Sequence, residues 1–307
     1  MADRGFLALD WGTTNLRAWR LGPDGAVEQA AEFALGVSRL APGEAAARFE
    51  TEVRPALGGE GGGEGLPALA CGMIGSNLGW VPAPYIDCPA SLESLAAGLA
   101  QAAPGVRIVP GLRCEGLAGP DVMRGEETQI LGWLAVDARH RVGRRLLVHP
   151  GTHAKWVTID DGVLTRFNTS MTGELYSLLG AQSVLRFAEG QADDDQAFDA
   201  GAAAAGDGGA LAARLFGLRG RVINDRLPAG SAASWLSGLL IGAEVAALWP
   251  MLRDGAVHGV DLLGDARLCA LYARVLTARG VPFSLSDGEA AVLNGLTHIW
   301  KASRHDS

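Results

Sequence analysis

The sequence predicts an α/β fold made of two copies of one unit, each a mixed five-stranded sheet carrying helices. Three observations support this. The element order β-β-β-α-β-α-β-α can be read twice along the 307 residues. Each copy opens on a short apolar strand that ends in a Gly-Thr turn and resumes as a second strand. Set against each other, LALDWGTTNLRAW and LLVHPGTHAKWVT pair Gly12 with Gly151 and Thr13 with Thr152.

In the first copy, strand-like runs at 5–10, 15–21 and 25–33 come first, the last two joined by the turn GPDG. PGEAAARFETEVRPAL (42–57) reads as a helix, GGEGGGEG (58–65) as a surface loop and LPALACGMI (66–74) as a buried strand. SLESLAAGLAQ (91–101) has a serine cap and helical spacing, VRIVPGL (106–112) is a strand, and RGEETQILGWLAV (124–136) a helix. The second copy opens with strands at 144–151, 153–159 and 162–168. The helix TGELYSLLG (172–180) follows, with a capping hydroxyl and an acid in its first turn. An Ala/Gly-rich, helix-prone stretch at about 181–230 reads as an insertion. A long apolar helix (234–249), strand 259–264, helix 266–278, strand 282–286 and helix 288–300 complete the chain. The 234–249 helix reads as core, with a contribution to a homodimer surface as the other option.

The bulk composition excludes several classes. At 48 % hydrophobic and 20 % charged residues this is the make-up of a globular protein. A net charge of −8 provides no basic face for neutralising phosphates, which argues against nucleic acid. The four cysteines (Cys71, Cys88, Cys114, Cys269) form no C-x-x-C pair, so free thiols in a reducing compartment are expected rather than zinc or disulfides. The start MADRGFLALD has no signal-type apolar segment and no apolar run reads as membrane-spanning, so the expected location is cytoplasmic.

The Gly-Thr hairpins are the candidate chemistry. A glycine allows close backbone approach, turn amides can form a nest for anionic oxygens, and the following Thr adds a hydroxyl. An acid at the strand end can hold Mg²⁺ directly or through water. Two such hairpins could clamp a polyphosphate, and Asp10 heads only the first; the second is headed by His149-Pro150. A plain β-turn explains either hairpin alone, but not two in duplicated settings. Neither a P-loop nor a dinucleotide fingerprint is present. His149 and His153 have the spacing of a helical zinc pair, but Pro150-Gly151 between them forbid the helix.

Seven segments in order (ALDWGTTNLRAW, CGMIGSNLGWVPAPYIDCPA, DVMRGEETQILG, HPGTHAKWV, MTGELYSLL, WLSGLLIGAEV and DGEAAVLNGL) resemble the 2-dehydro-3-deoxygalactonokinase family, within the actin / sugar kinase / Hsp70 superfamily. The resemblance implies ribonuclease H-like (actin-like ATPase) domains with a cleft between them. It also implies ATP-dependent phosphorylation of 2-dehydro-3-deoxy-D-galactonate at its 6-hydroxyl, in galactonate catabolism. The implied division is 1–136 for substrate and first phosphate hairpin, and 137–307 for nucleotide, with the insertion inside the latter. Other readings are a kinase of this fold for another sugar or sugar acid, or a non-kinase ATPase or phosphatase.

By that resemblance Gly12, Thr13, Thr14, Gly151, Thr152 and His153 contact the ATP phosphates, with Asp10 near Mg²⁺. Lys155 either turns toward the phosphates or lies on an exposed strand face. Glu126 is the first choice for the base that takes the hydroxyl proton, with Asp121 and Glu127 as rivals; all three are also what a helix N-terminus favours. For the substrate, Gly75, Ser76 and Asn77 at a loop, Trp80 as a wall, and Arg17 and Arg124 as carboxylate partners are the candidates. Tyr85 and Asp87 lie in a matching segment without an assigned contact. Gly264, Asp265 and Arg267 form the strand–Gly–helix segment expected at the adenosine. Leu268, Leu271 and Leu276 have core spacing and need no function.

Overall fold

The computed structural model describes residues 5–62, 65–186, 193–207 and 209–304. The first four residues, Gly63 and Glu64 of the Gly-rich stretch, and 187–192 and 208 of the expected insertion lie outside the described residues.

Strands β1 (Phe6–Trp11), β2 (Leu16–Leu21) and β3 (Val27–Phe33) form an antiparallel meander. β1 reads as a continuous apolar run because it is covered on both faces, whereas polar β3 lies at the sheet edge. Helices α1 (Ala45–Arg48) and α2 (Arg54–Gly62) precede β4 (Ala68–Cys71), which pairs parallel to β1. Next come β5 (Tyr85–Asp87), α3 (Leu92–Ala97), β6 (Ala100–Ala103), β7 (Val106–Ile108), β8 (Gly111–Gly116), β9 (Gly119–Met123) and α4 (Glu126–Val136). The first sheet has the order β3-β2-β1-β4-β7-β6, and β5-β8-β9 form a separate three-stranded sheet.

The second copy contains β10 (Arg144–His149), β11 (Ala154–Asp160), β12 (Val163–Ser170), α5 (Thr172–Gln182), α6 (Asp195–Ala204), α7 (Leu211–Ile223) and α8 (Ala232–Leu252). It closes with β13 (Val260–Gly264), α9 (Ala266–Ala278), β14 (Phe283–Asp287) and α10 (Gly288–Ala302). Its sheet order, β12-β11-β10-β13-β14, repeats the first five positions of the other sheet. This 3-2-1-4-5 order, with β2 antiparallel to its neighbours β1 and β3 in the first copy, is the duplicated ribonuclease H-like arrangement.

Three local expectations need correction. The segment 58–65 is not all loop: α2 continues to Gly62, because adding residues to a helix started upstream costs less than starting one. The helix expected over 91–101 ends at Ala97, and Ala100–Ala103 instead pair antiparallel with β7 as a sixth, edge strand. The strand expected over 106–112 is split: Val106–Ile108 stay in the main sheet as β7, while Gly111 and Leu112 open β8 of the small sheet β5-β8-β9, whose other residues fall outside the expected elements.

The chain divides into two compact units: Met1–Val142 with Asp160–Arg166 and Gly288–Ser307, and Gly143–Ile159 with Phe167–Asp287. In the first, α10 lies against α4, and Trp300 stacks on Phe6 with ring centroids 4.8 Å apart. The two helices touch backbone to backbone: a Cβ on Gly132 would fall 2.1 Å from the Ala291 carbonyl, and one on Gly295 2.0 Å from that of Thr128. In the second, α6 and α7 of the insertion pack on α8. α8 is, among the described residues, the one helix long and apolar enough to cross a membrane, against the expectation that no run reaches that length. Most of it is buried inside this unit, which makes it a core helix.

Candidate active site

Asp10 is the penultimate residue of β1, and both its neighbours in the sheet register carry chemistry: Arg17 on β2 and Cys71 on β4. Arg17 Nη2 donates to Asp10 Oδ2 at 2.6 Å, and the other terminal nitrogen lies 3.7 Å from Glu289 Oε2 at the start of α10. The Cys71 thiol lies 3.9 Å from Asp10 Oδ1. Burial, reinforced by Asp10 and Glu127, pushes that thiol well above its usual range. Arg17 is thus committed to two carboxylates.

The Gly12–Asn15 hairpin is closed by the Gly12 amide donating to the Asn15 carbonyl. Residues 36–38 pack across it, their amides donating to the carbonyls of Thr14, Gly12 and Thr13. The carbonyls at the tip are therefore used from one side, and Thr13 and Thr14 stand exposed. A tip arranged in this way offers donors, as an anion site requires.

Gly72 after β4 and Gly125 before α4 have φ of +93° and +111°, and a Cβ on Gly125 would lie 3.2 Å from the Gly72 Cα. Only glycines permit this conformation and this contact, which sets the N-terminus of α4 beside the Asp10 strand. A Cβ on Gly72 would itself be 3.6 Å from Asp10 Oδ1. The two acids opening α4 then diverge. Glu126 is half-buried, and its Oε2 accepts from the Arg124 amide at 3.1 Å. Glu127 is fully buried and accepts from the Gly125 amide at 2.6 Å; burial, then the charge of Glu126, push it up to about 8. Glu127 therefore closes the helix start, while Glu126 remains accessible. Asp121 lies on β9 opposite Cys114, with Oδ1 on the Val122 amide.

Arg124 lies under the loop after β4. Its Nη2 donates to the Ala83 carbonyl at 2.8 Å, and its guanidinium lies 4.3 Å from the Tyr85 ring centroid. Nε and Nη1 are buried without a hydrogen-bond partner. Gly75 makes room for it, since a Cβ there would come within 2.9 Å of Nη1. Ser76 accepts from the Leu78 amide in a local turn, and Asn77 is exposed. Trp80 packs edge-on to Trp11 and against Phe49, at the border of the core. Asp87 is taken by a bidentate pair with Arg113.

In the second unit the Gly151–His153 turn is backed by the start of α5. The Glu174 amide donates to the Thr152 carbonyl, and a Cβ on Gly173 would fall 2.5 Å from the Gly151 carbonyl. His153 Nε2 lies 2.6 Å from Glu174 Oε2. Lys155 is buried, so its exposed-face reading is excluded.

Beside this turn opens a cavity of about 420 Å³, lined among others by Gly151, Gly173, Tyr176, Asp265, Arg267 and Tyr272. Asp265 caps α9, accepting from the Leu268 amide at 2.9 Å, and Gly264 precedes it at φ +141°. Leu268 and Leu271, expected to be plain core, also line the cavity, while Leu276 is buried. Sequence reasoning missed Thr172, Tyr176 and Tyr272. The Thr172 hydroxyl does not cap α5 as expected but donates to Glu244, whose only signal was being the lone acid in an apolar helix.

In the second unit, the turn and the cavity with mixed apolar and charged walls suit a nucleotide; in the first, the acid-headed hairpin suits an anion. Comparison with known proteins agrees. The family profile described as 2-keto-3-deoxy-galactonokinase matches residues 10–299. A Rhizobium meliloti protein named probable 2-dehydro-3-deoxygalactonokinase is 38 % identical, with 97 % of each chain covered. The Escherichia coli 2-dehydro-3-deoxygalactonokinase is 36 % identical, over 96 % of this chain and 97 % of its own. The crystal structure of a protein assigned as a 2-dehydro-3-deoxygalactonokinase, from Sinorhizobium meliloti, superposes with a TM-score of 0.85 at 35 % identity, covering 97 % of this chain and 98 % of that one. The chain belongs to the 2-keto-3-deoxy-galactonokinase family.

Proposed function

We propose that the protein transfers the γ-phosphoryl group of ATP to the 6-hydroxyl of 2-dehydro-3-deoxy-D-galactonate, in the breakdown of galactonate. The observation that carries this, in a chain of this family, is the cavity that joins the second Gly-Thr turn to Asp265 and Arg267. Its apolar walls suit a base, and Gly151 at its rim leaves room for phosphates. The new bond is from the sugar oxygen to Pγ; the bond from Pγ to the bridging oxygen breaks, ADP departs, and the hydroxyl proton passes to the Glu126 carboxylate. Such a transfer depends mainly on alignment and charge neutralisation. Glu126 fits the role of base because, unlike Glu127, it is not sealed in the interior.

Arg17 is engaged by Asp10 and Glu289, so Arg124, with two buried donors free, is the proposed partner of the substrate carboxylate. Gly75, Ser76, Asn77 and Trp80 would form the rest of that site. No group of three metal-ligating side chains occurs among the described residues. That fits Mg²⁺ carried by the nucleotide, because this ion keeps several waters and takes one or two carboxylates plus phosphates. Asp10 would hold it, directly or through water, and the ion would supply charge neutralisation at the phosphates.

The test is ADP release over a panel of sugar acids and neutral sugars, with a control lacking acceptor. Turnover on 2-dehydro-3-deoxy-D-galactonate is expected. Turnover confined to neutral sugars would overturn the substrate, and acceptor-independent turnover would favour a hydrolase. Arg124→Met should raise KM for the sugar acid roughly tenfold or more, as loss of a charge-assisted pair implies. Its KM for ATP should stay unchanged.

A further inference from the structure

Glu244 is a buried carboxylate that no step above uses. It lies midway along α8, a helix otherwise apolar or small over its buried length, and is hydrogen-bonded by side chains of other elements, Ser170 at the end of β12 among them. Trp156 Nε1, on the strand that follows the Gly151 turn, donates to Oε1 at 2.6 Å. Oε2 accepts from the Tyr272 hydroxyl of α9 at 2.9 Å and from the Thr172 hydroxyl at the first residue of α5. Thr172 and Tyr272 line the cavity, and the residue after Thr172 is the glycine that abuts the Gly151–Thr152 turn. The carboxylate thus stands behind the cavity, tied to two of its walls and to the strand behind the turn.

Burying a carboxylate is costly unless its lone pairs are satisfied, and an apolar residue of similar volume would pack a helix interior without that cost. Here the lone pairs are satisfied by side chains of other elements, none of them on α8 itself. We propose that Glu244 is a positioning residue for the nucleotide, fixing Thr172, Tyr272 and the β11 strand so that the cavity is preformed before ATP enters. The proposal rests on the reading of that cavity as the nucleotide site. A single two-oxygen acceptor serves all three elements, so their positions are coupled: a shift of one changes the acceptor offered to the others. Preforming a site lowers the ordering cost at binding, so its loss appears in nucleotide affinity more than in the chemical step. Burial pushes Glu244 above the usual carboxylate range, and its donors act in the opposite direction.

The test is Glu244→Gln, which keeps shape but turns one acceptor into a donor facing a donor. Calorimetric titration of the wild type and the variant with ADP, without sugar acid, reads the nucleotide step alone. A folded variant should bind ADP roughly tenfold more weakly, about the worth of one buried hydrogen bond. Its KM for ATP should rise in step, with KM for the sugar acid unchanged. Unchanged ADP affinity, or equal loss for both substrates, would overturn the inference. Should Glu244→Gln fail to fold, Thr172→Val and Tyr272→Phe each remove one donor. Their combined effect on ADP affinity should fall short of the sum of the two, because they share one acceptor; strict additivity would overturn the coupling. A wild-type chain that binds ADP but phosphorylates no sugar acid would refute the proposed reaction and leave this inference standing. One that does not bind ADP would refute both.

Discussion

Adjacent residues of the same type, Glu126 and Glu127, meet opposite environments within one helical turn. Glu126 is half-buried, its Oε2 accepting from the Arg124 amide. Glu126→Gln should retain fold and ADP affinity while losing roughly 100-fold or more in kcat, the usual worth of a general base. Near-wild-type turnover would remove it from the mechanism. Glu127 has a pKa of about 8 in the folded protein, against roughly 4.3 for a free glutamate. The unfolded chain therefore gives up this proton first as pH rises. The stability linked to Glu127 is fully present below about pH 4 and is lost progressively up to about pH 8. Glu127→Gln has no proton to lose, so from pH 5 to 8.5 its urea-unfolding free energy should fall less than that of the wild type, by about 2–4 kcal/mol. Parallel pH profiles would show that Glu127 is ionised in the folded state.

At the scale of elements, glycines decide how closely helices approach. Gly132 and Gly295 let α4 and α10 meet through their backbones, whereas Gly217 and Gly220 in α7 have open space where a Cβ would be. The same substitution should therefore change sign. Gly132→Ala is expected to destabilise by about 1–3 kcal/mol through overpacking. Gly217→Ala should stabilise by roughly 0.5–1 kcal/mol through helix propensity. Denaturant midpoints at unchanged slope check both, and a neutral Gly132→Ala would mean the helices can separate at no cost. Element limits follow similar logic. Ala100–Ala103 has helix-prone residues, yet forms a strand because β7 offers an open edge, a partner that propensity cannot register.

For the whole molecule, the last helix completes the first unit rather than the one preceding it in sequence. α10 places Trp300 on Phe6, Arg107 over the Trp300 ring at 5.0 Å, and Glu289 near Arg17. A chain ending at Asp287 should therefore lose the cooperative unfolding transition of the first unit, even though every strand of the three sheets is retained. An unaltered transition in a thermal melt would show that α10 is dispensable there.

Much of the architecture was legible from the residues. The apolar runs, the two Gly-Thr turns and the repeated element order are local or periodic features, and periodicity reports directly which face of an element is buried. Asp10, Glu126 and the Gly264–Arg267 segment could be singled out because each stands next to a recognisable strand or helix end. What only the tertiary structure decided are relations between distant segments. Arg17 is occupied by Asp10 and Glu289, Arg124 keeps two buried donors without partners, and Leu268 and Leu271 line a cavity, Leu271 while also packing on the core. Glu127 is sealed while Glu126 is not, and Glu244 gathers donors from β11, β12, α5 and α9. The reason is physical: burial and hydrogen-bond partnership are properties of what folds against a residue. Those neighbours come from distant parts of the chain, 272 residues away for Arg17 and Glu289 and 294 for Phe6 and Trp300, so no local pattern encodes them.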